Sequence, residues 1–397
     1  MMMRLWPILP FDPSKKPAKK DAIMEIIAAV LDRTGDNPRP YADNGPLRLA
    51  TLTLDPPRPG ELLIGIDAAG LCHSDLSVVN GDRPRPMPMA LGHEATGIVE
   101  ALGSEDDKGF AVGDRVILAF LPSCGECSRC KAGEPYMCSE GAAANGEGRL
   151  LNGGRRLHDA CGDDVHHHLG VSAFATHVVV DRRSAVKVDR DIPAHIAALF
   201  GCAVLTGAGA VVNSAAVRPG ETVLIYGLGG VGLSALLAAR ASGAGILVAV
   251  DPFEEKRALA EELGAMAFAP NQVEQLAAAF PEGGADVVIE TVGKAAVLKA
   301  AYAAARRGGR IVTVGLPNPA EIFDIPAVSL VAEGKSLIGS YMGSAIPARD
   351  IPRYIAMWRS GRLPVEKLLT SVSPLSEINS LLDSLAEGRA IRQVMIP

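Results

Sequence analysis

The sequence predicts an α/β protein in which a doubly wound parallel sheet accompanies a second, β-rich domain. Three observations lead there. Between about residues 203 and 341, short apolar strands alternate with helical segments, and repeated strand–helix units imply a parallel sheet with helices on both faces. A glycine-rich hexapeptide joins the first of these strands to the first helix. From 24 to about 200, apolar runs such as 62–66 and 115–118 are split by Pro and Gly, the pattern of short strands. A length of 397 residues, at about 150 per domain, fits two to three domains.

In chain order, 223–226 reads as a buried strand, 231–242 as a helix, 246–250 as a strand and 254–263 as a helix. The strand 286–290, the helix 294–306 and the strand 311–314 follow. Beyond 342, helices are expected around 351–360 and 376–387, with a terminal strand at 393–396.

Composition narrows the classes. Hydrophobic residues make up 48% and charged residues 21%, so there is ample apolar surface to bury and long-range disorder is excluded. A formal net charge of −6 argues against a nucleic-acid partner, which needs a basic face. The stretch 222–239 carries no charge and has the length of a membrane span. Gly227, Gly229, Gly230 and Gly232 interrupt it, so strand, turn and helix describe it better than a span. Seven cysteines, an odd count, do not form a disulfide framework and point to a reducing, cytoplasmic compartment with thiols as metal ligands. Residues 1–23 are expected to be a disordered basic extension, with Arg4, Lys15, Lys16, Lys19 and Lys20 and no continuous apolar run; Met24 is an alternative start, and a transit peptide, disfavoured by many prolines and few arginines, is the alternative reading.

The hexapeptide Gly227, Leu228, Gly229, Gly230, Val231, Gly232 fits G-x-G-x-x-G between an apolar strand and a helix. The first glycine permits the tight turn, the second lets backbone approach a pyrophosphate, and the third lets helix and strand pack closely. Asp251 ends the next strand, where a carboxylate accepts hydrogen bonds from ribose hydroxyls and repels a 2′-phosphate; this favours NAD over NADP.

Cys124, Cys127, Cys130 and Cys138 give C-x2-C-x2-C-x7-C. Four thiolates this close in sequence suit a closed tetrahedral zinc of the structural kind. An iron–sulfur run would have three residues before its last cysteine and a proline after it, and this segment has neither.

Cys72, His93 and Cys202 lie far apart in sequence, and singly each reads as an ordinary buried residue. Their settings are Gly70-Leu71-Cys72-His73-Ser74-Asp75, Gly92-His93-Glu94 and Gly201-Cys202-Ala203-Val204-Leu205-Thr206. Together with the cysteine lobe and the glycine turn, these segments resemble the zinc-dependent medium-chain alcohol dehydrogenases over about residues 24–397.

The resemblance implies a GroES-like catalytic domain (24–202 and 343–397) and a Rossmann cofactor domain (203–342), with a catalytic zinc in the cleft between them. It implies Cys72, His93 and Cys202 as ligands of that zinc, Glu94 as an alternative ligand and Asp75 as the carboxylate that orients the histidine. Ser74 matches the hydroxyl that takes the alcohol proton. Ser77 stands where several members carry a histidine, so the proton relay is expected to end in solvent. His73, Thr206, Lys256 and Arg392 fall at cofactor-contact positions, and Val314, Ser340 and Met342 where backbone holds the carboxamide.

Two zinc ions per chain and NAD are the implied cofactors. The implied reaction is reversible oxidation of a primary or secondary alcohol by hydride transfer from a zinc-bound alkoxide. Phe120 resembles an aromatic wall of the alcohol pocket. In His166-His167-His168-Leu169-Gly170, His168 replaces an apolar pocket residue, which predicts a more polar pocket; the alternative for these histidines is structural hydrogen bonding. The long stretch between Cys138 and Ser172 resembles the longer subgroup, which includes glutathione-dependent formaldehyde dehydrogenases and tends to be dimeric; a tetramer is the other assembly considered. That subgroup carries an acidic residue near Arg83 and an arginine near Ala142, and neither is present here. S-(hydroxymethyl)glutathione oxidation is thus the alternative, followed by a non-catalytic zinc- and nucleotide-binding role. Cys161 is left as an unpaired thiol.

Overall fold

In the computed structural model, residues 22–105, 107–280 and 282–397 are described. The leader expectation concerns residues that, up to 21, lie outside them. Six parallel strands form one sheet in the order Met266–Phe268, Ile246–Val250, Thr222–Tyr226, Ala285–Glu290, Ala305–Thr313 and Ser336–Gly339. The three central strands are buried almost throughout, as runs such as Thr222–Tyr226 require when helices cover both faces. The uncharged stretch 222–239 divides into strand, turn and the helix Gly230–Ala241. Among the described residues no single helix is long and apolar enough to cross a membrane.

The rest of the chain is β-rich. A small closed barrel joins Met24–Leu31, Leu47–Leu54, Leu157–His158, Asp164–His167 and Met89–Ala90. A seven-stranded sheet runs Ala185–Val188, Arg115–Leu118, Ala95–Leu102, Glu61–Leu71, Arg392–Ile396 and Leu369–Pro374, with His177–Asp181 also pairing Glu61–Leu71. The C-terminal strand therefore returns to the first half of the chain. Gln393 pairs with Leu71 in antiparallel register, which sets Arg392 beside Cys72. One apolar cluster contains Cys72, Phe120 and Cys202 together with Ile225, Leu233 and Val312, so the β-rich part and the parallel sheet share a core at this seam.

Several boundaries differ from the sequence reading. The helix placed over 294–306 stops at Ala304, because Ala305 already pairs with Ala285 and the strand continues to Thr313. Alanine propensity loses to ladder pairing there. The helix placed from 351 begins at Pro347, where proline suits the first turn. The three-residue strand Met266–Phe268 and the helix Val273–Ala278 are additions.

Candidate metal and cofactor site

Cys72 precedes the helix His73–Val79, and Asp75 in its first turn accepts the Cys72 N–H at 3.0 Å through Oδ2. The other oxygen of Asp75 meets His93 Nδ1 at 2.9 Å. Burial opposes ionisation of Asp75, yet His93 and His168 outweigh it and hold the carboxyl below its usual range. An ionised Asp75 fixes the proton on Nδ1 and leaves Nε2 as the free donor of His93. That Nε2 is buried without a hydrogen-bond partner, as are both carboxylate oxygens of Glu94.

Donor atoms of Cys72, His93, Glu94 and Cys202 lie within 4.8 Å of one another, all in buried residues. The Cys202 thiol beside it draws the Cys72 thiol well below its ordinary value. Burial pushes Glu94 up to about 7, with the Arg392 charge acting against it. Arg392 itself donates to the Leu71 carbonyl at 3.2 Å and sits 3.7 Å from Glu94. Two thiols, one orphaned imidazole nitrogen and a carboxylate without a hydrogen bond form a donor set that fits zinc.

The lobe cysteines are equally suited. Cys124 and Cys130 sulfurs are 4.0 Å apart and those of Cys127 and Cys138 3.9 Å apart. The edge of a tetrahedron with Zn–S bonds of about 2.3 Å is about 3.8 Å. Disulfides would need about 2.05 Å, and all seven cysteines are free thiols. The backbone N–H groups of Cys127 and Gly141 donate to the sulfurs of Cys124 and Cys138, each at 3.3 Å.

The glycine turn behaves as its spacing requires. Gly227 has φ +90°, a left-handed conformation. A Cβ on Gly229 would meet nothing within 4 Å, leaving that face of the turn open. A Cβ on Gly232 would lie 1.8 Å from the Gly227 carbonyl oxygen, and one on Gly230 would lie 2.0 Å from Arg392 Nε. Gly232→Ala is therefore expected to cost about 3 kcal/mol, since neighbouring backbone has to move. Gly229→Ala is expected to leave stability at the wild-type value. Denaturant midpoints for the two variants check this, and equal losses would contradict it.

Asp251 is buried, and its Oδ2 accepts the Leu228 N–H at 2.7 Å while Oδ1 accepts the Phe253 N–H at 2.9 Å. Sequence spacing did not reveal that second task of tying the turn. Lys256 is buried with its ammonium 4.9 Å from the Phe253 ring centroid, and burial lowers its pKa. Val314 and Ser340 follow the carboxyl ends of their strands, the edge at which open α/β sheets bind ligands. Ser340 Oγ contacts Ser214 Oγ at 2.7 Å. Met342 has φ +53°, and the adjacent Gly343 packs against the Thr206 carbonyl. Thr206 Oγ1 is buried without a partner. His73 stands exposed on the first turn of its helix. Ser74 Oγ is 3.8 Å from Cys72 Sγ, and Ser77 Oγ donates to the His73 carbonyl at 2.8 Å.

Two sequence-family profiles match the chain: an alcohol dehydrogenase GroES-like domain over residues 58–190 and a zinc-binding dehydrogenase over residues 230–359. The geraniol dehydrogenase of Castellaniella defragrans is 38% identical over 375 residues, covering 93% of this chain and 97% of that protein. This chain belongs to the zinc-dependent medium-chain alcohol dehydrogenase family. It is an oxidoreductase acting on alcohols, with a GroES-like domain and a Rossmann-like zinc-binding dehydrogenase domain. Two solved structures share its fold. An alcohol dehydrogenase zinc-binding domain protein from Burkholderia ambifaria is 33% identical with a TM-score of 0.88, covering 95% of this chain and 100% of that one. The benzyl alcohol dehydrogenase of Acinetobacter calcoaceticus is 32% identical with a TM-score of 0.86, covering 94% and 99%.

Around the dehydrogenase's His93, the Phe120 ring packs edge-on at 5.6 Å, and Tyr341 packs edge-on to Phe120 at 6.1 Å. Sequence reasoning missed Tyr341, and it missed the buried pair of Glu61 and Arg156, which bond through Oε2–Nε at 2.9 Å and Oε1–Nη2 at 2.7 Å. It also missed Glu290, which caps Val292 and Gly293 and accepts from Thr313. The three adjacent histidines divide by role. His166 Nδ1 lies 3.0 Å from the Pro88 carbonyl, His167 Nε2 accepts the Arg156 N–H at 3.1 Å, and His168 turns towards Asp75.

Burial, then the Arg156 charge, pushes His167 down to about 3, so it stays neutral in the fold. In the unfolded chain the value returns to about 6.5. Between those values the unfolded chain binds the proton and the folded chain does not. The stabilisation from a neutral His167 is thus complete above about 6.5 and is lost as pH falls towards 3, by about 1.4 kcal/mol per pH unit. His167→Gln is expected to flatten that acid limb. Urea midpoints at about pH 5 and about pH 7.5 read it, and an unchanged slope would count against the buried neutral state.

Proposed function

We propose that the enzyme reversibly oxidises a primary or secondary alcohol to the aldehyde or ketone with NAD. Cys72, His93 and Cys202 would hold the catalytic zinc, with Glu94 as an alternative ligand, and Cys124, Cys127, Cys130 and Cys138 would hold a structural zinc. The carrying observation is the buried, unpartnered Nε2 of His93 set among two thiols, with Asp75 behind it. When bound, zinc supplies a Lewis acid for the alcohol oxygen and the nicotinamide supplies a hydride acceptor.

Asp75 keeps the His93 imidazole in one tautomer. Ser74 takes the alcohol proton at Oγ. Ser77 already donates to the His73 carbonyl and is no base near neutral pH, so the proton leaves to solvent. Phe120, buried and packed edge-on against His93, shields it from water, with Tyr341 against the far side of that ring. The open face of Gly229 admits the pyrophosphate, with the His73 imidazole and the Arg392 guanidinium as its partners. Leu228, Gly230 and Val231 complete the turn around it. Asp251 and Lys256 serve the adenosine ribose, and the Asp251 carboxylate disfavours a 2′-phosphate. Thr206, Val314, Ser340 and Met342 line the nicotinamide end.

The catalytic domain on this reading is 24–202 and 343–397, around a cofactor domain at 203–342. Ser336–Gly339 is an edge strand, with Ile322, Val328 and Val331 exposed nearby; this supports a homodimer. Seven free thiols support a reducing, cytoplasmic setting. Arg83 donates to the Pro317 carbonyl at 3.2 Å and is a cation where glutathione recognition uses an acid, which favours simple alcohols over S-(hydroxymethyl)glutathione.

Absorbance at 340 nm tests the reading, with NAD or NADP and a panel holding geraniol, benzyl alcohol, ethanol, a secondary alcohol and S-(hydroxymethyl)glutathione. Alcohol-dependent NADH formation is expected. Turnover confined to the glutathione adduct, or to NADP, would overturn the respective assignment.

A further inference from the structure

We propose that His168 is a positioning residue for the metal site, acting through Asp75. The inference rests on the reading of Cys72, His93 and Cys202 as that site. Two imidazoles converge on one carboxylate oxygen: Asp75 Oδ1 lies 2.9 Å from His93 Nδ1 and 3.4 Å from His168 Nδ1. The two rings stand nearly perpendicular, at 87°, with centroids 5.4 Å apart. Asp75 is fully buried and His168 is 1% exposed, so water does not compete for the carboxylate.

His168 is also held firmly from behind. Its N–H donates to Ser172 Oγ at 2.9 Å, and its carbonyl accepts the N–H groups of Val171 and Ser172 at 3.0 and 3.2 Å. Leu169, the next residue, has φ +53°, so the chain turns sharply directly after His168. The second oxygen of Asp75 is committed to the Cys72 N–H. Asp75 is thus hydrogen-bonded to Cys72 and His93, with the His168 imidazole packed against the oxygen that His93 uses.

At 3.4 Å the two atoms are close but make no hydrogen bond, so His168 Nδ1, buried without another partner, acts on the anion through its nearness. It contributes in two ways. It stops the carboxylate rotating away from His93, and it offsets part of the cost of burying a negative charge beside two thiols. Phenylalanine at 168 would leave Oδ1 to His93 alone. A second role as pocket wall is a separate matter, since a wall acts on substrate rather than on metal.

The test compares zinc release from the wild type, His168→Phe and His168→Gln to a chromogenic chelator. The phase missing from Cys202→Ser identifies the catalytic site, and the cysteine lobe serves as the internal control. His168→Phe is expected to lose that zinc about tenfold faster, and His168→Gln, whose amide donates, to stay near the wild-type rate. Adding His168→Phe to Asp75→Asn is expected to change the release rate little, because both act through one carboxylate. Wild-type release in His168→Phe with only KM altered, or effects that multiply with Asp75→Asn, would overturn the proposal. A wild-type chain that binds only the lobe zinc would overturn the metal-site reading itself, and the proposal with it.

Discussion

Cys202→Ser is expected to lower kcat/KM by about 10³-fold while the melting temperature stays within a few degrees of wild type. The substitution is nearly isosteric at a buried position, so packing changes little. It removes a thiol whose donor atom lies within 4.8 Å of those of Cys72, His93 and Glu94. A serine hydroxyl does not ionise near neutral pH, so the site loses one anionic donor. Charge stabilisation worth about 4 kcal/mol corresponds to about three decades of rate. Cys161→Ser is the control, since Cys161 is exposed and distant in role from either cysteine group. Steady-state kinetics with an alcohol from the panel, alongside thermal melts, read both variants. Wild-type kcat/KM in Cys202→Ser would contradict the assignment, and so would an equal loss in Cys161→Ser.

Glu61→Gln is expected to destabilise the enzyme by about 3–5 kcal/mol, because it leaves the Arg156 guanidinium buried without its counter-charge. Arg156 is 0% and Glu61 1% exposed, and two parallel bonds join them. Arg156→Leu is expected to cost a similar amount, and the double change of Glu61→Leu with Arg156→Leu less than the sum, since no lone charge remains. Urea unfolding of the three variants measures this. A single variant within about 0.5 kcal/mol of wild type would show that the pair carries little. The effect reaches the site as well. Arg156 N–H donates to His167, and the next residue is the one that faces Asp75. Anchoring Arg156 to Glu61 therefore anchors the segment that delivers His168.

These two cases also mark what could be read in the chain. The cysteine lobe is legible because its four sulfurs fall within 15 residues, and one local fold brings them together. The glycine turn is legible because strand, turn and helix are local too. Cys72, His93 and Cys202 carry no local signature, and only resemblance to a family grouped them. The same holds for Arg392, whose place depends on Gln393 pairing with Leu71 across most of the chain. Glu61 and Arg156 were invisible, since 95 positions separate them and neither periodicity nor spacing links them. Alanine-rich sequence misled at 305 and 306, where the ladder to Ala285 decides the conformation.

Metal content tests the central claim most directly. The purified wild-type chain is predicted to hold two zinc ions and the Cys72→Ser/Cys202→Ser variant one, the lobe being untouched. An equal count in both proteins would contradict a catalytic metal held by Cys72, His93 and Cys202.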